Sequence, residues 1–385
     1  MSATPAHERG NGFSDVLRAP GSDSRASRSA HVKGLELLRL RLAARISRLL
    51  RWEFWPALAI YLPLVPYIAF LGLRHRGITV CTRANLCMPL GGLVGESKWD
   101  ILNRLPAEWV VPTLFLPAAP LDDRLAALSA GITSRNLSWP IILKPDVGER
   151  GFGVERVSNI DEAAAYFRGN SSPVVAQAFH PGPFEIGVFY VRLPSEPRGR
   201  IFSITDKRFA AVAGDGRSSL RTLIWRHPRY RLQSSVFLAS LGPSADRVPA
   251  PGESVELGRT GNHCRGSLFL DGAHLITPEF ESAIDSISHR TPGFFFGRFD
   301  LRYADETELK SGRGFQIIEL NGLLSESTNI YDPATSFLDA QRILRHQWRL
   351  AYAIGAQNRQ TLPPPGPAAV IAAIRSWKRT VNARP

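Results

Sequence analysis

Leu35, Leu38, Leu42, Ile46 and Leu49 recur at steps of three and four residues, so on a helix they fall in one narrow sector, with Arg41, Arg48 and Arg51 across from them. The spacing predicts a basic amphipathic helix, and two surfaces suit it equally: its own protein or an anionic membrane. Upstream, 1–33 is rich in Ser, Arg, Ala and Gly without periodic apolar positions, the pattern of a disordered tail. Downstream, 54–73 carries no charged side chain and is long enough to be weighed as a membrane span. Pro56, Pro63 and Pro66 interrupt its hydrogen-bond ladder, and basic residues flank both ends. The expectation is therefore a re-entrant, interfacial or buried element, with 35–73 as the stretch that would meet a membrane.

From residue 78 onward the pattern becomes that of an α+β enzyme. Strands are predicted at 78–82, 140–144, 174–179, 185–193, 201–208, 295–303 and 315–320, where apolar runs or alternation are bounded by turn residues. A helix over 161–168 opens with Asn159 and Glu162 spaced as a capping box. After Thr361 a Pro-rich stretch leads to Val370, Ile371, Ile374 and Trp377 beside Arg375, Lys378 and Arg379. That tail reads as a terminal helix, either docked or facing a membrane.

Composition narrows the class of protein. With 385 residues and 44% hydrophobic content the chain is long enough for two or three packed subdomains. The formal charge of +13 suggests an acidic partner, but the basic segments cluster at the ends and no recognition motif accompanies them, so nucleic acid is not expected. Cys81, Cys87 and Cys264 cannot form a disulfide framework and match no zinc spacing. A cytoplasmic setting follows, peripheral to the inner face of the membrane if the front segment docks there, and the first 30 residues hold no apolar signal region. Cys264 is expected to be buried and inert.

Two segments carry chemistry. In 140–154 a strand delivers Lys144 to its end, and Gly148, Gly151 and Gly153 follow before the chain returns to a strand. Glycines let backbone N–H groups close over phosphate oxygens, and a strand-end lysine neutralises them; an ordinary glycine-rich hairpin has the same pattern. The second segment joins Gly297-Arg-Phe-Asp-Leu-Arg-Tyr303 to Phe315-Gln-Ile-Ile-Glu-Leu-Asn-Gly322. Alternate residues of a strand share a face, so Arg298, Asp300 and Arg302 point together, as do Glu319 and Asn321. If the strands pair, Asp300, Glu319 and Asn321 converge as hard oxygen donors suited to Mg²⁺; the alternative is a structural network of Arg298 with the two acids.

Taken with Gln177 and Glu185 between them, these segments resemble the ATP-grasp superfamily, especially ligases similar to D-alanine–D-alanine ligase, over roughly residues 98 to 332. The resemblance implies two α+β subdomains gripping ATP, preceded by a short α/β pre-domain and a helical N-terminal extension. On that reading the chain divides into a tail at 1–33, an amphipathic and apolar extension at 34–76, a pre-ATP-grasp region at 77–135, the ATP-grasp domain at 136–361 and a basic terminal segment at 362–385. It also implies ATP and Mg²⁺ as cofactors, and a small carboxylate joined to an amine or other nucleophile with release of ADP. Lys144 and Lys98 resemble the phosphate-contacting lysines, with Gly148, Gly151 and Gly153 as the covering loop. Gln177, Ala178 and Phe179 resemble the strand that meets adenine, Glu185 the ribose acid, and Lys207 a further phosphate contact. Asp300, Glu319 and Asn321 resemble the metal ligands, and Arg298 the arginine beside the transferred phosphoryl group. His263 and Arg265, in the glycine-bounded segment 258–266, lie where such ligases contact substrate, and Arg265 is the better catalytic candidate. Asn85, Gly91 and Gly92 suit either a substrate pocket or a plain turn. A phosphotransferase on the same fold and a nucleotide-binding module without turnover are the other readings.

Overall fold

The structure, a computed structural model, describes residues 34–148, 152–258 and 261–382. Helix α1 (Gly34–Leu50) is followed by α2 (Ala57–Tyr61) and α3 (Val65–Arg74), separated where Pro63 opens a 3₁₀ turn. Next come α4 (Lys98–Leu102), β1 (Thr113–Leu116), α5 (Leu121–Ser134), β2 (Ile141–Pro145), β3 (Glu155–Val157), α6 (Ile160–Arg168) and β4 (Val174–Ala178). The long strands β5 (Phe184–Val191) and β6 (Arg200–Arg208) lead to β7 (Ala211–Ala213), α7 (Leu220–Arg226), α8 (Ser234–Leu241), β8 (Ser254–Glu256) and β9 (Leu268–Asp271). The chain ends with α9 (Pro278–His289), β10 (Phe296–Tyr303), α10 (Glu306–Lys310), β11 (Phe315–Asn321), α11 (Phe337–Asn358) and α12 (Pro367–Asn382).

Two antiparallel sheets organise these elements. The smaller has the order β1-β4-β2-β3, the larger β11-β10-β5-β6-β9. Period-two alternation gives each sheet one continuous apolar face; at one end of the larger sheet Phe189, Val191 and Phe296 add an apolar patch on the other side, packed on Ala351 and Tyr352 of α11. Ile186, Val188, Tyr190, Phe299, Leu301 and Tyr303 of the larger sheet pack on Phe280, Ile284 and Ile287 of α9. Ile141, Leu143, Val174 and Ala176 of the smaller pack on Leu128 of α5 and on Ala163 and Phe167 of α6. The opposite, polar faces are left to look toward each other. This is the α+β, two-layer grip that the ATP-grasp resemblance implies. The region 77–135 contributes directly to it, since β1 is an edge strand of the smaller sheet and α5 covers it. The capping box forms with its return bond one residue early: Asn159 Oδ1 accepts from Glu162 N at 2.9 Å, and Glu162 Oε2 accepts at 2.8 Å from the N–H of Ser158, the residue before the cap.

One local expectation is corrected, and one choice left open is narrowed. Residues 78–82 form no strand; Val80–Arg83 is a 3₁₀ turn. Among the described residues no strand pairs with it, and Val80, Cys81 and Ala84 instead pack on Ala351, Tyr352 and Ile354 of α11, while the Tyr352 hydroxyl donates to the Ile78 carbonyl at 2.7 Å. Gly355 is needed for that approach, because a Cβ there would lie 2.1 Å from the Val80 carbonyl oxygen. The choice left open concerned α1. Its leucine stripe does not face the protein: Leu37, Leu40 and Ala44 turn inward, and Leu35, Leu38, Leu42, Ile46 and Leu49 are exposed. In the tail, the Pro363 carbonyl accepts from Arg83 and Val370 is buried, so α12 is docked by at least one residue.

Phe299 is fully buried between its sheet and α9, and Phe299→Ala leaves a void that rigid neighbours cannot fill. The expected loss is about 3–5 kcal/mol in urea unfolding. A loss under about 1 kcal/mol would show that this sheet face is not close-packed.

Candidate active site

The polar face of the larger sheet is a lattice of alternating charges. Register sets Glu185 opposite Lys207 on one side and Arg302 on the other, Asp300 opposite Glu319, and Arg298 opposite Asn321. Lys207 Nζ lies 3.0 Å from Glu185 Oε1 and 3.1 Å from Asp300 Oδ1. Arg298 Nε donates to Asp300 Oδ1 at 2.9 Å, and Arg302 donates twice to Glu185 Oε2 at 3.1 Å. Burial alone would raise the Asp300 pKa, but Arg298 and Lys207 outweigh it and hold the carboxylate below its ordinary range. Burial likewise opposes the Lys207 charge, and Asp300 with Glu185 reverses the balance, leaving its pKa raised. Gly187, opposite Asp300, makes room for this lattice: a Cβ there would sit 2.9 Å from Arg298 Cδ and 3.2 Å from Asp300 Oδ1.

The smaller sheet answers with Lys144 and Gln177. Lys144 Nζ donates to Gln177 Oε1 at 2.9 Å and, across the cleft, to the Ile318 carbonyl at 2.9 Å. Gln177 Nε2 reaches the same carbonyl at 3.3 Å and Thr113 Oγ1 at 3.2 Å. Ile318 is available because the β10–β11 register shifts here: Asp300 pairs with Glu319 and Leu301 with Ile317, leaving Ile318 as the extra residue of a bulge. The bulge also lets Ile317 and Leu320, three apart, both reach the core. Desolvation pulls the Lys144 pKa down to about 8, Lys98 adds to the fall, and Glu319, Asp300 and Glu185 act against it. Lys98 is aimed by Asp146, whose carboxylate accepts from Ser97 Oγ and Trp99 N while its carbonyl and that of Gly148 take the lysine ammonium.

The structure thus brings Lys98, Lys144, Gly148, Gln177, Glu185, Lys207, Arg298, Asp300, Glu319 and Asn321 to one cleft. Ala178 and Phe179 sit where β4 leaves for β5; Ala178 N is taken by the Pro112 carbonyl, and Arg156 lies 4.4 Å over the Phe179 ring. Gly153 has a left-handed φ of 67° and packs on Pro145, while Gly151 lies outside the described residues. Arg265 is exposed and takes no part in the lattice among the described residues. His263 is a packing residue: it stacks on Tyr331 at 5.0 Å and meets Phe54 and Phe269, and burial beside Arg229 lowers its pKa to about 4. Cys264 is exposed, not buried, because it rides a three-residue turn whose apolar contacts are made by His263. Asn85 is no pocket residue either; its amide is spent on Gly91 O, Phe296 O and the amides of Phe295 and Phe296. Gly91 and Gly92 serve a backbone crossing, accepting from Leu323 N and Leu324 N. Sequence reasoning missed Asp146, the Ile318 carbonyl and Gly261, at which a Cβ would fall 2.0 Å from Glu185 Oε1. Only Asp146, two residues after Lys144, left a signal.

Among the described residues no cluster of three or more His, Cys, Asp and Glu could hold a metal ion. Asp300, Glu319 and the Asn321 carbonyl nonetheless offer oxygen atoms of the hard kind Mg²⁺ takes, while the buried Asn321 Nδ2, without a hydrogen-bond partner, is a donor that suits an anion's oxygen. Asp300 fits such a role once Lys207 or Arg298 turns to another anion, since both now hold its oxygen.

No family model and no curated protein matches the sequence. Similar solved structures include a bifunctional glutathione synthetase from Pasteurella multocida, at 17% identity, covering 69% of this chain and 38% of that one with a TM-score of 0.38. A D-cycloserine synthetase is 14% identical over 68% of this chain and 70% of its own, with a TM-score of 0.37. A D-Ala:D-Ser ligase from Enterococcus faecalis is 16% identical over 66% and 61%, with a TM-score of 0.35. The chain therefore spans less than two thirds of the first and third of these proteins.

Lys144 makes a pH prediction. Its folded pKa of about 8 lies below the ordinary 10.5, so between these values the unfolded chain binds more protons and stability from this group rises with pH. Below about pH 8 the buried ammonium is a net cost. The stability of the native protein relative to Lys144→Met should climb between about pH 8 and 10.5. A flat difference across that window would mean the amine is not desolvated.

Proposed function

We propose that this chain is an ATP-dependent, ADP-forming ligase that activates a small carboxylate and joins it to an amine. The observation that carries the reading is the meeting of Lys144 and Lys98 from one layer with Arg298, Asp300, Glu319 and Lys207 from the other. A cleft that sets four fixed cations beside carboxylates is built for a polyanion and its metal, because oriented charge needs no reorganisation when phosphoryl charge shifts.

In this reading Lys98, Lys144 and Lys207 neutralise phosphate oxygens, and Gly148, Gly151 and Gly153 bring backbone N–H groups over them. Gln177, Ala178 and Phe179 line the base, and Glu185 accepts from ribose hydroxyls. Asp300, Glu319 and Asn321 would hold Mg²⁺. Bound Mg-ATP supplies a phosphoryl group that converts a carboxylate oxygen into a leaving group through an acyl phosphate. Arg298 stabilises the oxygen on which charge grows, and the glycine-rich loop excludes water until the amine attacks. The nucleotide-binding body is proposed to begin at β1 and end near residue 361, so it takes in part of 77–135. A cosubstrate of this kind is consistent with a cytoplasmic reaction.

The test is to incubate purified protein with ATP, Mg²⁺ and panels of carboxylates and amines and follow ADP and phosphate. A ligase releases both only when acid and amine are present; ADP without free phosphate, formed with an acid or alcohol alone, identifies a phosphotransferase. Lys144→Ala and Glu319→Ala should each lower turnover by about 100-fold or more while circular dichroism stays native. Turnover at the native rate in either folded variant refutes the site.

A further inference from the structure

We propose that the protein docks on an anionic lipid bilayer through two exposed apolar stripes, one on α1 and one on α2–α3, lying along the membrane surface and not across it. The proposal is independent of the catalytic reading.

The first stripe is an orientation the fold enforces. Glu36 pairs with Arg226, Arg41 lies over the Trp225 ring, and Leu37, Leu40 and Ala44 face the protein. That leaves Leu35, Leu38, Leu42, Ile46 and Leu49 between 51% and 73% exposed. A helix with a stronger apolar face available has buried the weaker one. The second stripe follows the same logic: Ile60, Leu64 and Leu71 are buried, the Ile60 carbonyl accepts from Gln341 of α11, and Leu58, Leu62, Val65 and Leu73 are 55% to 81% exposed. Trp55 joins the two, donating to the Leu49 carbonyl and packing on Phe337. Nine large apolar side chains exposed along these two neighbouring segments mark an interaction site.

Charge selects the occupant. On α1, Arg39 and Arg45 flank the stripe on its two sides, and the helix carries a single acid, Glu36, which Arg226 already pairs; Arg74 and Arg76 close the second stripe. A second copy of the chain would bring these arginines together, whereas anionic headgroups sit over them while acyl chains receive the leucines. The stretch Ala57–Arg74 is long and apolar enough to cross a membrane by length and composition, with a mean hydropathy of 1.6. Crossing would strip Ile60, Leu64 and Leu71 from α11, so lipid meets one side of it only.

Flotation of the full-length protein with vesicles of phosphatidylglycerol and phosphatidylcholine in equal parts tests this, with pure phosphatidylcholine as the comparison. The protein should float with the anionic vesicles, leave them in high salt or alkaline carbonate, and stay behind with the neutral ones. Leu42→Glu and Leu62→Glu should each lower the bound fraction about tenfold with an unchanged unfolding temperature, since both positions are exposed. The idea is overturned by absence from anionic vesicles, by undiminished binding of both variants, by resistance to carbonate, which means a span, or by a stable dimer that either variant dissolves, which means a second copy covers the face.

Discussion

The buried ammonium group of Lys144 meets the opposite layer of this protein directly, beside the Gln177 amide that reaches the same carbonyl. It leaves water, where it is stable, for a site in which a glutamine oxygen and a backbone carbonyl of the opposite sheet are its direct partners. Neutral acceptors do not replace bulk solvation, so the charge is retained only because Glu319, Asp300 and Glu185 lie within electrostatic reach. The carbonyl exists as an acceptor because a bulge removes Ile318 from the strand ladder. Register, charge and interlayer contact are therefore one problem with one solution.

The lattice behind Lys144 extends that solution. Lys207 is shared by Glu185 and Asp300, and Asp300 by Lys207 and Arg298, so truncating any one member strands another charge out of water. Two glycines, at 187 and 261, keep the space that such a lattice needs. An array held in place before a ligand arrives is what the proposed electrostatic role would require, since apolar side chains of the same size could fill this space without the cost of burying charge.

The same economy holds the periphery. Arg229 and Glu53 form a buried pair at 2.8 Å that ties the turn after α1 to the aromatic cluster of His263, Phe54 and Tyr331. Burial raises the Glu53 pKa against the pull of Arg229, so this pair fixes geometry more than it adds stability. Through it the amphipathic front of the chain and the segment that backs Glu185 and Lys207 belong to one packed unit.

Much of this was legible one residue at a time. Local spacing was enough for the length of α1, the capping box at Asn159, most strands of both sheets, and the shared face of Arg298, Asp300 and Arg302, because period and cap chemistry are properties of a segment alone. Which face of α1 turns inward, whether 78–82 pairs or coils, where Cys264 points and what Asn85 holds were decided by neighbours far along the chain. Apolar periodicity states that a stripe exists and is silent on what covers it. Residues at 144, 185, 207, 300 and 319 could be named from their order in sequence, but their cohesion depends on a one-residue bulge and two absent Cβ atoms. Those features appear only when distant strands are laid side by side, since register is a relation between segments and no single segment carries it.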